Sequence, residues 1–448
     1  MTSGDGLRHP GPGRAVWADR DFRLLWSGQA TAQVGGQVGQ FVLPLLVLQL
    51  GAGAGTVGLL RAASLLPHLL FSLPAGHLAD RTEVRPLMMW ADWIRCLTML
   101  TVMLLASLHM LTVWQLLVAV MVLGVCTVIF DISYYSLLPG MLLREQLGTA
   151  NFALEAARSF ATLAGPALAG LLLGLLPLWA ALTVDAAALA VSAATLMAMR
   201  RGRPAVSGAR SGPVDTGKRA LAAGWLQVWH SPVLRPSMLY LGFRNLFAGI
   251  FSTYVLVFQV RELGFSVTRA AMVELLGNGG FLLGVLVGGW VSRRMGIGPQ
   301  LCGGALLSAL GIAVVSLARG DAAMAMTVGG LIAYGLGVAS SNLQNVVLRQ
   351  AVTPPEVMGR VSAVLRLAAY GTLPAGAALG ALTTSLWGLR PSLQFAAVGA
   401  LLTTAILVFS GIRTIRALPP TEPLSIAGPP LVPAPAAGDI PSPPSASS

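Results

Sequence analysis

The sequence predicts an all-α integral membrane fold, with twelve transmembrane helices in two pseudo-symmetric six-helix halves, from three observations. Only 10% of the 448 residues are Asp, Glu, Lys or Arg. Mean hydropathy is +0.74, and apolar runs recur from about Leu24 to Ile412. Landmarks in the first half return about 211 or 212 residues later in the second. Water does not tolerate that much uncovered hydrocarbon, whereas a bilayer does. Spans of about 20 apolar residues rising 1.5 Å each match a hydrocarbon core roughly 30 Å thick. Segments of this length exclude barrel strands, which need only about ten alternating residues. A soluble helical domain is excluded by the shortage of charges to cover its outer faces.

The spans are expected near 24–50, 56–79, 87–108, 112–138, 148–175 and 178–199, then 236–260, 270–292, 298–318, 322–349, 359–386 and 390–412. Basic residues set the orientation. With the N-terminus inside, the inner segments hold twenty of the 29 basic residues. The outer side holds Arg261, Arg269, Arg319 and Arg390. The positive-inside rule therefore places both termini in the cytoplasm, and the net charge of +12 needs no nucleic acid to explain it. The first apolar segment is a full span without a small-residue cleavage signature, so no cleavable signal peptide is expected. Cys96, Cys126 and Cys302 fall in or beside spans and suggest no disulfide framework. The five histidines show no ligand spacing, so neither a metal nor any other cofactor is expected.

Five regions follow. Residues 1–21 form a cytoplasmic N-terminal segment and 22–199 the first six-helix half. Residues 200–235 are a cytoplasmic linker, with a short surface helix expected around Leu221–His230. Residues 236–413 form the second half. Residues 414–448 form a Pro-rich tail without the composition to build a core. The repeat places Phe22-Arg23 on Leu234-Arg235, Gly76 on Gly288 and Arg81 on Arg293. It continues with Asp131 on Asn342, Glu145 on Glu356 and Gly148 on Gly359. A near-constant offset over landmarks in one order argues for an internal repeat. Two halves in the same orientation fit alternating access, with a cavity between them near the bilayer midplane.

The stretch Pro74-Ala-Gly-His-Leu-Ala-Asp80-Arg81-Thr-Glu-Val-Arg85 resembles the loop between the second and third helices of the major facilitator superfamily. In that family the Gly permits close helix approach, and the Asp and basic residues form a cytoplasmic latch. The resemblance implies such a latch from Gly76, Asp80, Arg81 and Arg85. In the second half Gly288-Gly-Trp-Val-Ser292-Arg293-Arg294 keeps Arg293 and Arg294 but has Ser for the acid. Asp21-Phe-Arg-Leu-Leu-Trp26-Ser-Gly28, Asp92-Trp-Ile-Arg95, Leu138-Pro139 with Ala150-Asn151, and Gly359-Arg360 resemble the drug-exporter branch that includes macrolide and enterobactin efflux proteins. The resemblance covers about residues 18–413.

Charges inside a bilayer are costly, so each is a functional candidate. Asp131, deep in the fourth span and followed by Tyr134, is the first candidate for proton coupling; Glu155 and Asp92 are the others. Asp92 and Arg95 are three apart and share a face; a structural pair, a gate, proton coupling and snorkelling all stay open. Glu155 and Arg158 repeat that spacing in the fifth span, as a packed pair or a coupling acid. Asp185 and Glu274 are further candidates, the latter near the outer end of its span, where it could reach water. Arg244 and Arg366 are read as cavity or gate cations, contacting an anionic cargo or serving as counter-ions.

The first span carries Gln29, Gln33, Gln37 and Gln40 between glycines, a face unsuited to lipid and expected to line the cavity. Tyr134, Gln259, Asn278, Asn342 and Asn345 are expected to add to that lining. Gly165, Pro166 and Gly170, and Pro374, Gly376 and Gly380, mark helices that pack closely, kink or flex. There is no G-x-x-x-x-G-K-[ST] run for ATP and no converging nucleophile or metal cluster for an enzyme. The expected activity is proton-coupled efflux of a hydrophobic or amphipathic small molecule, such as a macrolide-like drug, a natural product or a siderophore. The expected partners are that cargo, protons and the lipid of the cytoplasmic (inner) membrane, with the chain functional as a monomer. A lysophospholipid or metabolite transporter, and a non-transporting sensor or scaffold on the same fold, are the alternatives.

Overall fold

A computed structural model describes residues 16–142, 144–200, 218–353 and 357–416. The first part of the linker and the Pro-rich tail from 417 lie outside these residues, as do the side chains of Gly76, Asp80, Arg81 and Arg366.

The first half contains α1 (Arg20–Gln49), α2 (Ala54–Arg81), α3 (Val84–Ser107), α4 (Val113–Met141), α5 (Arg144–Leu175) and α6 (Leu178–Ala198). The linker supplies α7 (Lys218–His230). The second half contains α8 (Leu234–Arg261), α9 (Val267–Met295), α10 (Ile297–Leu317), α11 (Ala323–Val352), α12 (Met358–Trp387) and α13 (Leu389–Val408). Eleven of these helices are long and apolar enough to cross a membrane, and α12, with 30 residues, completes the twelve. Because twelve is even, the start of α1 and the end of α13 lie on one side, called here the terminal side.

Local chemistry sets the helix ends. The Asp19 carboxylate accepts from the Asp21 and Phe22 amides at the start of α1. At the start of α4, Thr112 and Gln115 form a reciprocal capping box. Gly296, at φ 88°, alone separates α9 from α10; a left-handed residue there reverses the chain without a Cβ penalty. The helices mostly overrun the expected spans, since an interior hydrogen-bond ladder continues into water. The last span is the exception, ending at Val408 before a short 3-10 turn at Gly411–Thr414.

The two halves are built alike. In the first, α1 packs on α5 and α6, α3 on α4 and α6, and α2 on α4. In the second, α8 packs on α12 and α13, α10 on α11 and α13, and α9 on α11. Element for element these are the same neighbours. The halves meet through α2 with α12 and α5 with α9, pairs that exchange under the same correspondence. A two-fold pseudo-axis therefore runs between them.

Close approach depends on small residues, because lipid supplies no hydrophobic drive between helices. A Cβ on Gly304 would lie 2.9 Å from the Gly337 carbonyl oxygen, and one on Gly311 would lie 2.5 Å from that of Gly330. Thus α10 and α11 touch backbone to backbone.

The core reveals which way the molecule is closed. One buried apolar cluster takes residues from both halves, including Val57, Leu60, Ala169, Ile250, Tyr254 and Ala271, all toward the side away from the termini. On the terminal side the clusters are separate. Phe22, Met88, Phe130 and Ala150 belong to the first half; Tyr240, Leu301 and Leu348, and Val228, Met238 and Val364, belong to the second. Among the described residues, then, the halves share an apolar core at the far side and have separate ones at the terminal side.

Candidate functional site

The far-side closure is made by specific contacts. Arg261 Nη2 donates to the Ala52 carbonyl at 3.2 Å. A Cβ on Gly58 would strike the Tyr254 hydroxyl, and one on Gly170 would strike Ala271. Near mid-span Asn278 Nδ2 donates to the Thr162 carbonyl at 3.0 Å. Continuing from that contact toward the terminal side, Glu155, Arg158 and Ser159 of α5 are exposed, as are Leu282, Val285 and Leu286 of α9. Those stretches of α5 and α9 line the division between the halves.

One guanidinium of the first half pairs with one acid and lies in the electrostatic range of two more. Arg95 Nη1 lies 3.0 Å from an Asp92 oxygen, with Asp92 fully buried. The Arg95 charge also acts on Asp131 of α4 and Asp185 of α6. Asp131 is exposed and lies in the electrostatic range of Arg95, His68 and Arg158. Glu155 and Arg158 make no ion pair with each other. Their i,i+3 spacing allows contact but does not compel it where both ends reach water. His68 is the member that sequence reasoning missed, having been weighed only as a metal ligand. The available signal was its position inside an apolar span, where an ionisable group is functional by default.

The polar face of α1 divides in two. Gln29, Gln33 and Gln37 are half-buried and Gln40 is exposed. Gly35 and Gly39 instead meet α6: a Cβ on Gly35 would lie 3.1 Å from the Asp185 Cα, and one on Gly39 would strike the Asp185 carboxylate. These glycines make room for a buried acid. Gly165 similarly accommodates the Gln37 side chain, and Pro166 beside it is buried in α5. In α12, Pro374 is buried, Gly376 lies against the Leu246 carbonyl, and Gly380 accommodates the Tyr254 ring.

The second half holds its polar groups differently. Arg244 donates from Nη1 to Asn342 Oδ1 at 2.8 Å and from Nη2 to Asn245 Oδ1 at 3.0 Å. Its partners are amides, and Asn342 stands at the repeat position of Asp131. Arg244, Tyr240, Ser308 and Tyr334 line a cavity of about 40 Å³ inside this half, room for a few waters. Two expected cavity residues are placed otherwise: Gln259 is 0% exposed and Asn345 is 4% exposed, both inside the second half. Gln259 Nε2 donates to Glu274 Oε1 at 3.0 Å, so this acid has a protein partner. Tyr134 is half-buried on α4.

Of the expected latch residues, Gly76, Asp80 and Arg81 lie outside the described side chains, and Arg85, Arg293 and Arg294 are placed as follows. Arg85 donates to the Leu196 and Met197 carbonyls at 2.8 and 2.7 Å, and Arg20 to that of Ala198 at 3.2 Å. These are the orphan carbonyls at the C-terminus of α6, where a cation is favoured. Arg85 therefore ties α3 to α6 within the first half. Arg293 and Arg294 are exposed, and Arg294 stacks over the Trp290 ring of its own helix at 4.4 Å. Arg85→Ala should cost about 1–2 kcal/mol, read as a lower unfolding midpoint in detergent, while Arg293→Ala leaves that midpoint in place.

Two repeated six-helix halves, joined at one face and divided at the other around buried charges, define a multi-pass membrane transporter. The model of the Major Facilitator Superfamily matches residues 25–377. The chain belongs to that superfamily. The macrolide efflux protein A of Streptococcus pyogenes is 22% identical over 179 residues, 40% of this chain and 44% of that relative, so the match spans less than half of the relative's length. Among solved structures, a bacterial homologue of the iron transporter ferroportin in the inward-facing state has a TM-score of 0.68 at 15% identity, over 87% of this chain and 98% of that one. An inward-facing, unoccupied bacterial homologue of the human lysosomal transporter Spinster has 0.69 at 14%, over 89% and 97%. The nucleoside transporter NupG has 0.67 at 14%, over 87% and 97%. At these identities the likeness is one of fold.

Proposed function

We propose that this chain exports a hydrophobic or amphipathic small molecule across the cytoplasmic membrane in exchange for protons. The observation that carries the reading is the Arg95–Asp92 pair, with Asp131 and Asp185 in the electrostatic range of the same guanidinium. With both termini cytoplasmic, as the basic residues favour, the division between the halves opens inward. Cargo would enter there between the glutamines of α1 and the apolar walls, and Asp131 is the cluster member within reach of that space. An acid open to that space can take a proton from water on one side and release it to water on the other as the space changes sides. A fixed ion pair cannot. The partial match to a macrolide efflux protein supports an amphipathic cargo.

The test is cargo-dependent proton movement in proteoliposomes over a panel of macrolides, other lipophilic antibiotics and siderophores. The reading expects a member of the panel to move against its gradient when the lumen is acidified and to stop when an ionophore collapses the pH difference. Cargo flux indifferent to the ionophore would remove the proton from the cycle.

A further inference from the structure

Glu274 is the only acid within the spans of the second half, and its surroundings are unlike those of the first-half cluster. On α9, Ala271 faces Gly170 of α5 and Asn278 hydrogen-bonds the Thr162 carbonyl of α5. Gly277, Gly280 and Gly284 face α11, against Leu331, Ile332 and Leu336. At about 100° per residue, position 274 falls between these two stripes and so points to the interior of the molecule, beside the far-side seam. There Gln259 of α8, itself 0% exposed, donates to Glu274 Oε1 at 3.0 Å. The Gln259 Oε1 atom is buried and has no donor.

That pairing suits either protonation state. An ionised Glu274 accepts from the Gln259 amide N–H; a protonated one can donate its O–H to the Gln259 oxygen after the amide turns. The other groups near it are few. Tyr334 of α11 lies in its electrostatic range, α5 offers Thr162 and Gly170, and Arg269 sits on another face of α9. Among the described residues no cation pairs with the carboxylate, so closing the seam over it in ionised form carries an uncompensated desolvation penalty.

We propose that Glu274 is a proton-operated latch of the far-side gate: it takes a proton from water when the α5–α9 seam is open, and the neutral carboxyl, paired with Gln259, lets the seam close. The carboxylate oxygen gains the proton, the new O–H is donated to Gln259, and loss of that proton on reopening restores the anion. The proposal rests on proton exchange in the export cycle and assigns this residue to gating, apart from Asp131.

The experiment places a reporter thiol in the seam as Ala271→Cys, with the full chain in proteoliposomes and neither cargo nor a pH gradient. A membrane-impermeant maleimide is applied from the far side and read by mass spectrometry at that site. Labelling, normalised at each pH to that of the same thiol in the unfolded chain to remove the thiolate fraction, is expected to slow severalfold as pH falls. Adding Glu274→Gln, permanently neutral, should keep it slow at every pH. Gln259→Glu sets a second carboxyl beside the first, and since neighbouring carboxylates resist joint ionisation, slow labelling should persist to higher pH. An unchanged pH response in either variant, or none in the Ala271→Cys parent, would overturn the latch. Because no cargo is present, failure of proton-driven export with these results intact would count against the export reading alone.

Discussion

Asp131→Asn is expected to abolish gradient-driven export while leaving cargo binding in place. The substitution keeps the size and one acceptor oxygen of the side chain but cannot gain or lose a proton. Its neighbours tolerate it, because Asp131 is exposed and shares Arg95 with two other acids. In proteoliposomes, pH-driven flux should fall to the protein-free background, and cargo exchange at equal pH should continue. Exchange isolates the rocking step from the proton step, so the pair of measurements separates a coupling residue from a binding one. Equal gradient-driven flux in variant and parent would move coupling to Asp92, Asp185 or Glu155.

The second large effect is on folding. Gly376→Ala is expected to lower the unfolding midpoint sharply, because its Cβ would strike the Leu246 backbone carbonyl of α8, which no side-chain rotation can relieve. Overpacking of this kind costs about 1–3 kcal/mol, and here it falls on the α8–α12 contact within the second half. Gly303→Ala is the matched control. Nothing lies within 4 Å of a Cβ at that position, so the change should stabilise α10 by about 0.5–1 kcal/mol through helix propensity. Both are read as thermal midpoints of the purified protein in one detergent. Equal shifts in the two variants would mean that glycine content, not close approach, sets the stability.

The architecture was legible because bilayer solubility is a property of composition and length. Twelve apolar runs and a near-constant repeat offset are local or additive signals, and the fold matches them. Some pairings were equally local: Asp92 and Arg95 are one helical turn apart and do meet. Other site features were not readable. Arg85 finds its carbonyls more than a hundred residues away on α6, and nothing in its own neighbourhood names that partner. Gly35 and Gly39 look like a flexible cavity face, yet their reason is the Asp185 side chain on another helix. Gln259 reads as lining because it is polar, and its burial follows from Glu274 across the α8–α9 turn. Periodicity says which face is polar. Only packing says whether that face meets water or a buried acid.

The central claim is that the two sides of the molecule open in alternation, and paired distances test it directly. One spin-label pair at Gly174 and Thr268 spans the closed far-side seam, where a Cβ on Gly174 would lie 3.8 Å from the Thr268 hydroxyl. A second pair at Asn151 and Gly289 spans the division on the terminal side, on the same two helices. Across a pH series with and without cargo, the far-side distance is predicted to lengthen as the terminal-side distance shortens, with both changes following one population. Two distances that stay fixed, or that lengthen together, would contradict the account.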